Sequence, residues 1–154
     1  MKTKILLVDD DPSIVAALSG VLRGAGYDVI QAFDGHQAID HFHTIAGADL
    51  VLLDLNLPRK SGWDIFERLT TINPLLPILI ITARPDQQTM AIAAGAAGLM
   101  EKPLDIPLLL ATIERLLAET PQARLARISG HTPYLSTSHP DLRSATPGGL
   151  SCSP

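Results

Sequence analysis

Leu50-Val51-Leu52-Leu53 runs without a polar interruption into one carboxylate, Asp54, and then into Leu55-Asn56-Leu57-Pro58. So short an apolar run between loop residues reads as a buried strand. It does not alternate, so both of its faces must be covered, as in the centre of a parallel sheet. Asp54 then stands at the carboxyl end of that strand, the edge at which open α/β sheets bind ligands. An aspartate there can equally end the strand or cap a turn, and the other strands decide between these readings.

Ile5 to Val8 forms a first strand and ends in Asp9-Asp10-Asp11-Pro12. Asp11 before a proline is an N-cap signature, and Ile14, Val15, Leu18, Val21 and Leu22 continue with helical period until Gly24 and Gly26. Tyr27 to Ala32 reads as a second strand near an edge. Asp34-Gly35 turns into a helix over His36 to Ala46. After the strand Asp49 to Leu53, Ser61 or Gly62 opens a third helix carrying Ile65, Phe66, Leu69 and Ile72. Pro77 to Thr82 is a fourth buried strand, with proline where a strand tolerates it. Asp86 to Ala94 is an alanine-rich helix closed by Gly95, and Gly98 to Glu101 a fifth strand before Lys102-Pro103. Asp105 caps a last helix with a stripe of Ile106, Leu109, Leu110, Ile113, Leu116 and Leu117; Leu108 and Ala111 fall off it.

Five alternations of strand and helix predict a doubly wound α/β fold, a five-stranded parallel sheet with helices on both faces. Right-handed crossovers leave few topologies, and the flavodoxin-like order 2-1-3-4-5 makes strands one and three neighbours at the switch point. A single domain is expected over residues 1–119. From residue 120 the chain turns rich in Pro, Ser, Thr and Gly, holding five of the twelve prolines. Thr120-Pro121 can cap a short turn of helix through Ile128; beyond it no periodicity remains, and 131–154 reads as a flexible tail.

The formal net charge of -4 argues against general nucleic-acid binding. One cysteine, Cys152, precludes an internal disulfide and is compatible with a reducing cytosol. The apolar run Ile5 to Val8 is too short for a signal peptide or a membrane span.

The proposed order gathers Asp9, Asp10, Asp54, Thr82 and Lys102 at one edge. Three adjacent carboxylates repel one another, which raises their pKa values or recruits a cation. Oxygen ligands suit a hard ion such as Mg²⁺, which keeps waters and completes its shell with phosphate oxygen. A carboxylate can itself attack phosphorus, with the metal and a lysine offsetting charge on the transferred group.

Over residues 3 to 119 the chain resembles the response-regulator receiver domain of two-component signalling. The matching pieces are Ile5 to Asp11, Asp54 to Pro58 with Gly62, Thr82-Ala83 and Lys102-Pro103. The resemblance implies a stand-alone phosphoacceptor in a phosphorelay, acting in the cytoplasm and not turning over an external substrate. Asp54 would take the phosphoryl group from a phosphohistidine on a sensor kinase or phosphotransfer protein. Asp10 and Asp54, with the Asn56 carbonyl, would bind Mg²⁺ (or Mn²⁺) directly, and Asp9 through water. Thr82 and Lys102 would contact the phosphoryl group, Ala83 leaves it room, and the bond to Pro103 is expected to be cis. One departure stands out. An aromatic switch residue is usual three before the lysine, and here that position is Leu99. Output is expected through a protein surface, with a possible homodimer on the face of helix four, strand five and helix five, and without direct contact to nucleic acid or membrane.

Competing chemistries fit less well. An aspartate-nucleophile phosphatase wants a second acid two residues on, where Asn56 stands. A flavin or nucleotide binder wants a phosphate-cradling loop after strand one, where Asp9-Asp10-Asp11 offers the opposite charge. His41 and His43, two apart on one helix, do not share a face and read, with His36, as solvated. Arg84, two past Thr82, lies near the phosphate or is a solvated loop residue, and Trp63 reads as half-exposed packing.

Overall fold

A computed structural model describes residues 2–44, 47–58 and 61–129, and the backbone of residues 135–136. The elements run β1 (Lys4–Val8), α1 (Pro12–Gly24), β2 (Asp28–Ala32), α2 (Gly35–Thr44), β3 (Leu50–Asp54), α3 (Gly62–Ile72), β4 (Ile78–Thr82), α4 (Gln88–Ala94), β5 (Gly98–Glu101), α5 (Ile106–Ala118), α6 (Pro121–Ile128) and β6 (Leu135–Ser136). All strand pairs are parallel, in the order β2-β1-β3-β4-β5-β6, so the expected five-strand order stands with a two-residue strand added at the β5 edge.

The unbroken apolar strands have their explanation in two cores. Leu6, Val8, Val51, Leu53, Ile78 and Ile80 point to one face, against Phe42 of α2, Ile65, Phe66 and Leu69 of α3 and Ala91 of α4. Ile5, Leu7, Leu50, Leu52, Leu79 and Ile81 point to the other, against Val15, Leu18 and Leu22 of α1 and Leu109, Ile113 and Leu116 of α5. Side chains alternate along a strand, so only a sheet covered on both faces gives every position of β3 and β4 an apolar partner; all ten residues are buried.

Caps form where the residue types require. Asp11 accepts the Ser13 amide, Ser61 that of Trp63, Asp105 that of Leu108 and Thr120 that of Ala123. Gly95 closes α4 with φ 81°, a left-handed conformation that favours glycine.

Some local expectations shift. Tyr27 lies before β2, not in it, because its amide closes the end of α1 on the Leu22 carbonyl. The helix expected from Asp86 begins as a 3₁₀ turn at Pro85–Gln87 and becomes α-helical at Gln88. On α5, Thr112 is buried, donating its hydroxyl to the Leu108 carbonyl, while Leu110 and Leu117 are half-exposed. Leu108 packs against the second core and is not off the stripe; Ala111 is exposed as expected. Where one short turn of helix was expected through Ile128, α6 runs two turns and its Arg127 is buried in an ion pair with Glu119; in the region read as a tail, β6 pairs Leu135 with Gly98 and Ser136 with Leu99. The remainder of the region read as flexible lies outside the described residues, as do positions 45 and 46 of the expected second helix. Among the described residues no helix is long and apolar enough to cross a membrane.

Candidate functional site

Register sets the positions of the site residues. Val8 of β1 pairs with Leu53 of β3, so Asp9 and Asp54 leave their strands at one level. Asp54 pairs with Ile81, which puts Thr82 one step further, and Thr82 pairs with Glu101, which puts Lys102 a step beyond that. Backbone bonds fasten this edge: the Asp9 amide donates to Ala32, the Leu55 amide to Ile81 and the Lys102 amide to Thr82.

From β5, the Lys102 side chain reaches back across the sheet. Its Nζ lies 3.1 Å from Asp9 Oδ2 and 3.3 Å from Asp54 Oδ2. The other oxygen of each carboxylate is held by a local amide, Asp9 Oδ1 by Asp11 at 2.9 Å and Asp54 Oδ1 by Asn56 at 3.0 Å. Both carboxylates are buried, whereas Asp10 is exposed. The Asp9, Asp10 and Asp54 carboxylates each bring an oxygen within 4.8 Å of the others; among the described residues no other group of three such ligands comes together.

Burial pushes the Asp54 carboxyl above the usual aspartate range, and the charge on Asp9 adds to this; the Asn56 amide and Lys102 oppose it. Burial acts to lower the Lys102 pKa, but its bonds and charge attraction to Asp9 and Asp54 outweigh burial and raise it. The site therefore keeps its ammonium and holds its central carboxylate at a cost, which a bound cation would remove. Three carboxylate oxygens with no nitrogen or sulfur ligand fit a hard divalent ion such as Mg²⁺.

Thr82 is wholly buried and its Oγ1 accepts the Arg84 amide at 3.0 Å, a bond that uses an oxygen lone pair and not the hydroxyl hydrogen. Ala83 is exposed beside it. The Lys102-Pro103 bond is cis, as the resemblance implied. Leu99 is buried in the first core with Phe66 and Ala91. Arg84 does not turn to the carboxylates; its guanidinium pairs with Asp86 at 3.1 Å. His36, Asp40, His43 and Asp64 line a groove of about 330 Å³ between α2 and α3, with His36 Nε2 3.6 Å from Asp40. Their ligand atoms do not gather as those of the acid cluster do.

Sequence reasoning missed one polar contact near the site. The half-buried Trp63 donates its indole N–H to Gln87 Oε1 at 2.9 Å, joining the first turn of α3 to the segment after Thr82. The two residues are 24 positions apart, so no spacing rule could have paired them.

Residues 5–114 match the family model of the response regulator receiver domain. The transcriptional regulatory protein ZraR of Salmonella typhimurium is 40% identical over 121 residues, covering 77% of this chain and 27% of its own. The alkaline phosphatase synthesis transcriptional regulatory protein PhoP of Bacillus subtilis is 38% identical over 105 residues, covering 67% of this chain and 43% of its own. The chain thus spans less than half the length of these relatives. Among solved structures, the chemotaxis response regulator CheY4 of Vibrio cholerae matches with TM-score 0.69 and 30% identity, over 75% of this chain and 99% of that one. The response regulator TrrA of Thermotoga maritima, solved in complex with Mg²⁺ and BeF, matches with TM-score 0.69 and 28% identity, over 75% and 99%.

Proposed function

The chain belongs to the response regulator receiver domain family of two-component signalling, and on that premise we propose that Asp54 is the phosphoacceptor of a phosphorelay. The observation that carries this reading is the placement of Lys102 Nζ between Asp9 and Asp54, beside an exposed third carboxylate, Asp10. A buried nucleophile needs a fixed cation and a metal site beside it to meet the charge of an incoming phosphoryl group.

Asp54 attacks the phosphorus of a partner's phosphohistidine. The new bond joins its carboxylate oxygen to phosphorus, the phosphorus–nitrogen bond breaks, and the imidazole keeps the electron pair. Asp10 and Asp54, with the Asn56 carbonyl, would hold Mg²⁺ or Mn²⁺, and Asp9 would hold one of its waters. When bound, the ion offsets charge on the phosphoryl oxygens. Lys102 needs only a small movement to leave Asp54 Oδ2 for a phosphoryl oxygen, and Thr82 donates its hydroxyl to another. Attack of water on the acyl phosphate releases inorganic phosphate and restores Asp54. The donor is a sensor histidine kinase or a phosphotransfer protein, and the setting is cytoplasmic.

Output passes through the face of α4, β5 and α5 to a partner protein or a second copy, without direct contact to nucleic acid. Leucine at position 99 lacks the ring and hydroxyl of the usual switch residue, so phosphorylation reshapes this face modestly. Intact mass tests the core of the reading: with acetyl phosphate and Mg²⁺, wild type gains one phosphoryl group and Asp54→Asn gains none. Equal phosphorylation of that variant would refute the assignment.

A further inference from the structure

A run of hydrogen bonds leaves the site through the segment after β4. The Arg84 amide donates to Thr82 Oγ1 at 3.0 Å, and the Arg84 guanidinium donates to Asp86 Oδ2 at 3.1 Å. Gln87 Nε2 donates to the other oxygen of Asp86 at 3.0 Å, and Trp63 Nε1 donates to Gln87 Oε1 at 2.9 Å. The Gln87 amide has only one workable orientation here. A carboxylate accepts and an indole N–H donates, so the amide nitrogen must face Asp86 and its oxygen Trp63.

The two ends of this run belong to different parts of the molecule. Thr82 ends β4, buried beside the acid cluster. Trp63 lies in the first turn of α3, edge-on to Phe66 with ring centroids 5.6 Å apart, and packs on the core that also holds Ala91 of α4 and Leu99 of β5. Between them, Pro85–Gln87 form the turn from which α4 starts. Arg84 and Asp86 are exposed and Gln87 is half-buried, so this segment can move without opening the core.

We propose that Thr82, Arg84, Asp86, Gln87 and Trp63 form the relay that carries the phosphorylation state of Asp54 to the junction of α3 and α4, with the Trp63–Gln87 bond as its latch. The relay rests on Asp54 being the phosphoacceptor. A phosphoryl group acts on its near end in two ways. It draws the Thr82 hydroxyl, to which the Arg84 amide is bonded, and its negative charge competes with Asp86 for the Arg84 guanidinium. Either pull loosens the Asp86–Gln87 contact that orients the amide toward Trp63. The two states thus differ in bonds made and broken, which a ligand-driven shift requires. Leu99 supplies no polar side-chain group for a parallel route through β5.

The chain has one tryptophan, so one indole N–H resonance reports the latch. Wild type and Gln87→Leu are treated with acetyl phosphate and Mg²⁺, the phosphorylated fraction is read by intact mass, and the indole signal by ¹⁵N–¹H NMR. In wild type the signal moves in step with the phosphorylated fraction. In Gln87→Leu phosphorylation persists, which also shows that the site is folded, while the movement of the indole signal falls by more than half. A phosphorylated wild type with a stationary indole signal would overturn the relay. So would a variant whose signal moves as far as that of wild type, since that movement would arise through space. No mass gain in either protein would overturn the phosphoacceptor reading, and the relay with it.

Discussion

Gly62 stands so close to Leu55 that a β-carbon on the glycine would lie 2.5 Å from the Leu55 Cα and 2.9 Å from the Asp54 carbonyl oxygen. The Gly62 amide donates to the Leu55 carbonyl at 3.1 Å, drawing the start of α3 against the segment that follows Asp54. Both crowded groups are backbone and cannot rotate away. Gly62→Ala should therefore cost about 1–3 kcal/mol, as overpacking does elsewhere, and slow phosphorylation by displacing Asp54. Urea unfolding and intact mass together check this; an unchanged midpoint would mean that the loop yields freely.

The raised Asp54 pKa sets a direction for the metal-free protein. The folded state binds this proton more tightly than the unfolded chain, so the contribution to stability is full below the ordinary value of 3.8 and lost as pH rises through the raised folded value. Ionised Asp54 is then a burden at neutral pH. Asp54→Asn should be more stable than wild type there, and its stability should fall less between acid and neutral pH. Chemical denaturation across that range provides the measurement. Identical profiles for the two proteins would contradict it.

Lys102 shifts in the same direction, but from so high an ordinary value that it still stabilises the fold at neutral pH. Its raised pKa means that its share of stability is full below 10.5 and lost as pH rises through the higher folded value. Lys102→Met leaves Asp9 and Asp54 buried without their cation. With the ammonium partly exposed and so partly screened, the loss should be about 1–2 kcal/mol at neutral pH, toward the lower part of the range for charged hydrogen bonds. Mg²⁺ should recover more stability in this variant than in wild type. A variant as stable as wild type in the presence of a chelator would refute the pairing argument.

Mg²⁺ at a hundredfold excess over its dissociation constant should stabilise wild type by about 2.7 kcal/mol. Asp10 is exposed, so Asp10→Ala should change metal-free stability by no more than about 0.5 kcal/mol. The Mg²⁺ increment should nonetheless shrink strongly. Thermal melts with and without the ion separate the two effects, and an undiminished increment would remove Asp10 from the ligand set.

Truncation should separate the contribution of α6 from that of the chain beyond it. Ending the chain after Ser129 removes the two-residue pairing of β6 with β5 and should cost about 1 kcal/mol or less, a shift of a few degrees in melting temperature. Ending it after Glu119 also removes the buried Arg127 and its ion pair, and should cost more. Equal melting temperatures for the two truncations would show that α6 adds nothing to the domain.

The sequence by itself determined the architecture and the main site. Leu50 to Leu53 and Ile78 to Ile81 are continuously apolar because both sheet faces are covered, and that pattern is visible without coordinates. Asp9, Asp54, Thr82 and Lys102 each stand at or just past the end of a strand, so the topology alone brings them to one edge. Only the tertiary structure decided what depended on distances between side chains remote in the chain. It placed Lys102 on both Asp9 and Asp54, buried Thr112 beside the apolar stripe expected on α5, and bonded Trp63 to Gln87. It also seated Arg127 of the short α6 on Glu119, and added a strand at the β5 edge in a region whose composition pointed to a tail. The reason is physical. Periodicity and turn chemistry act between near neighbours and are written in spacing. Which polar atoms meet across helices depends on how the packed elements sit against one another, and no local pattern records that.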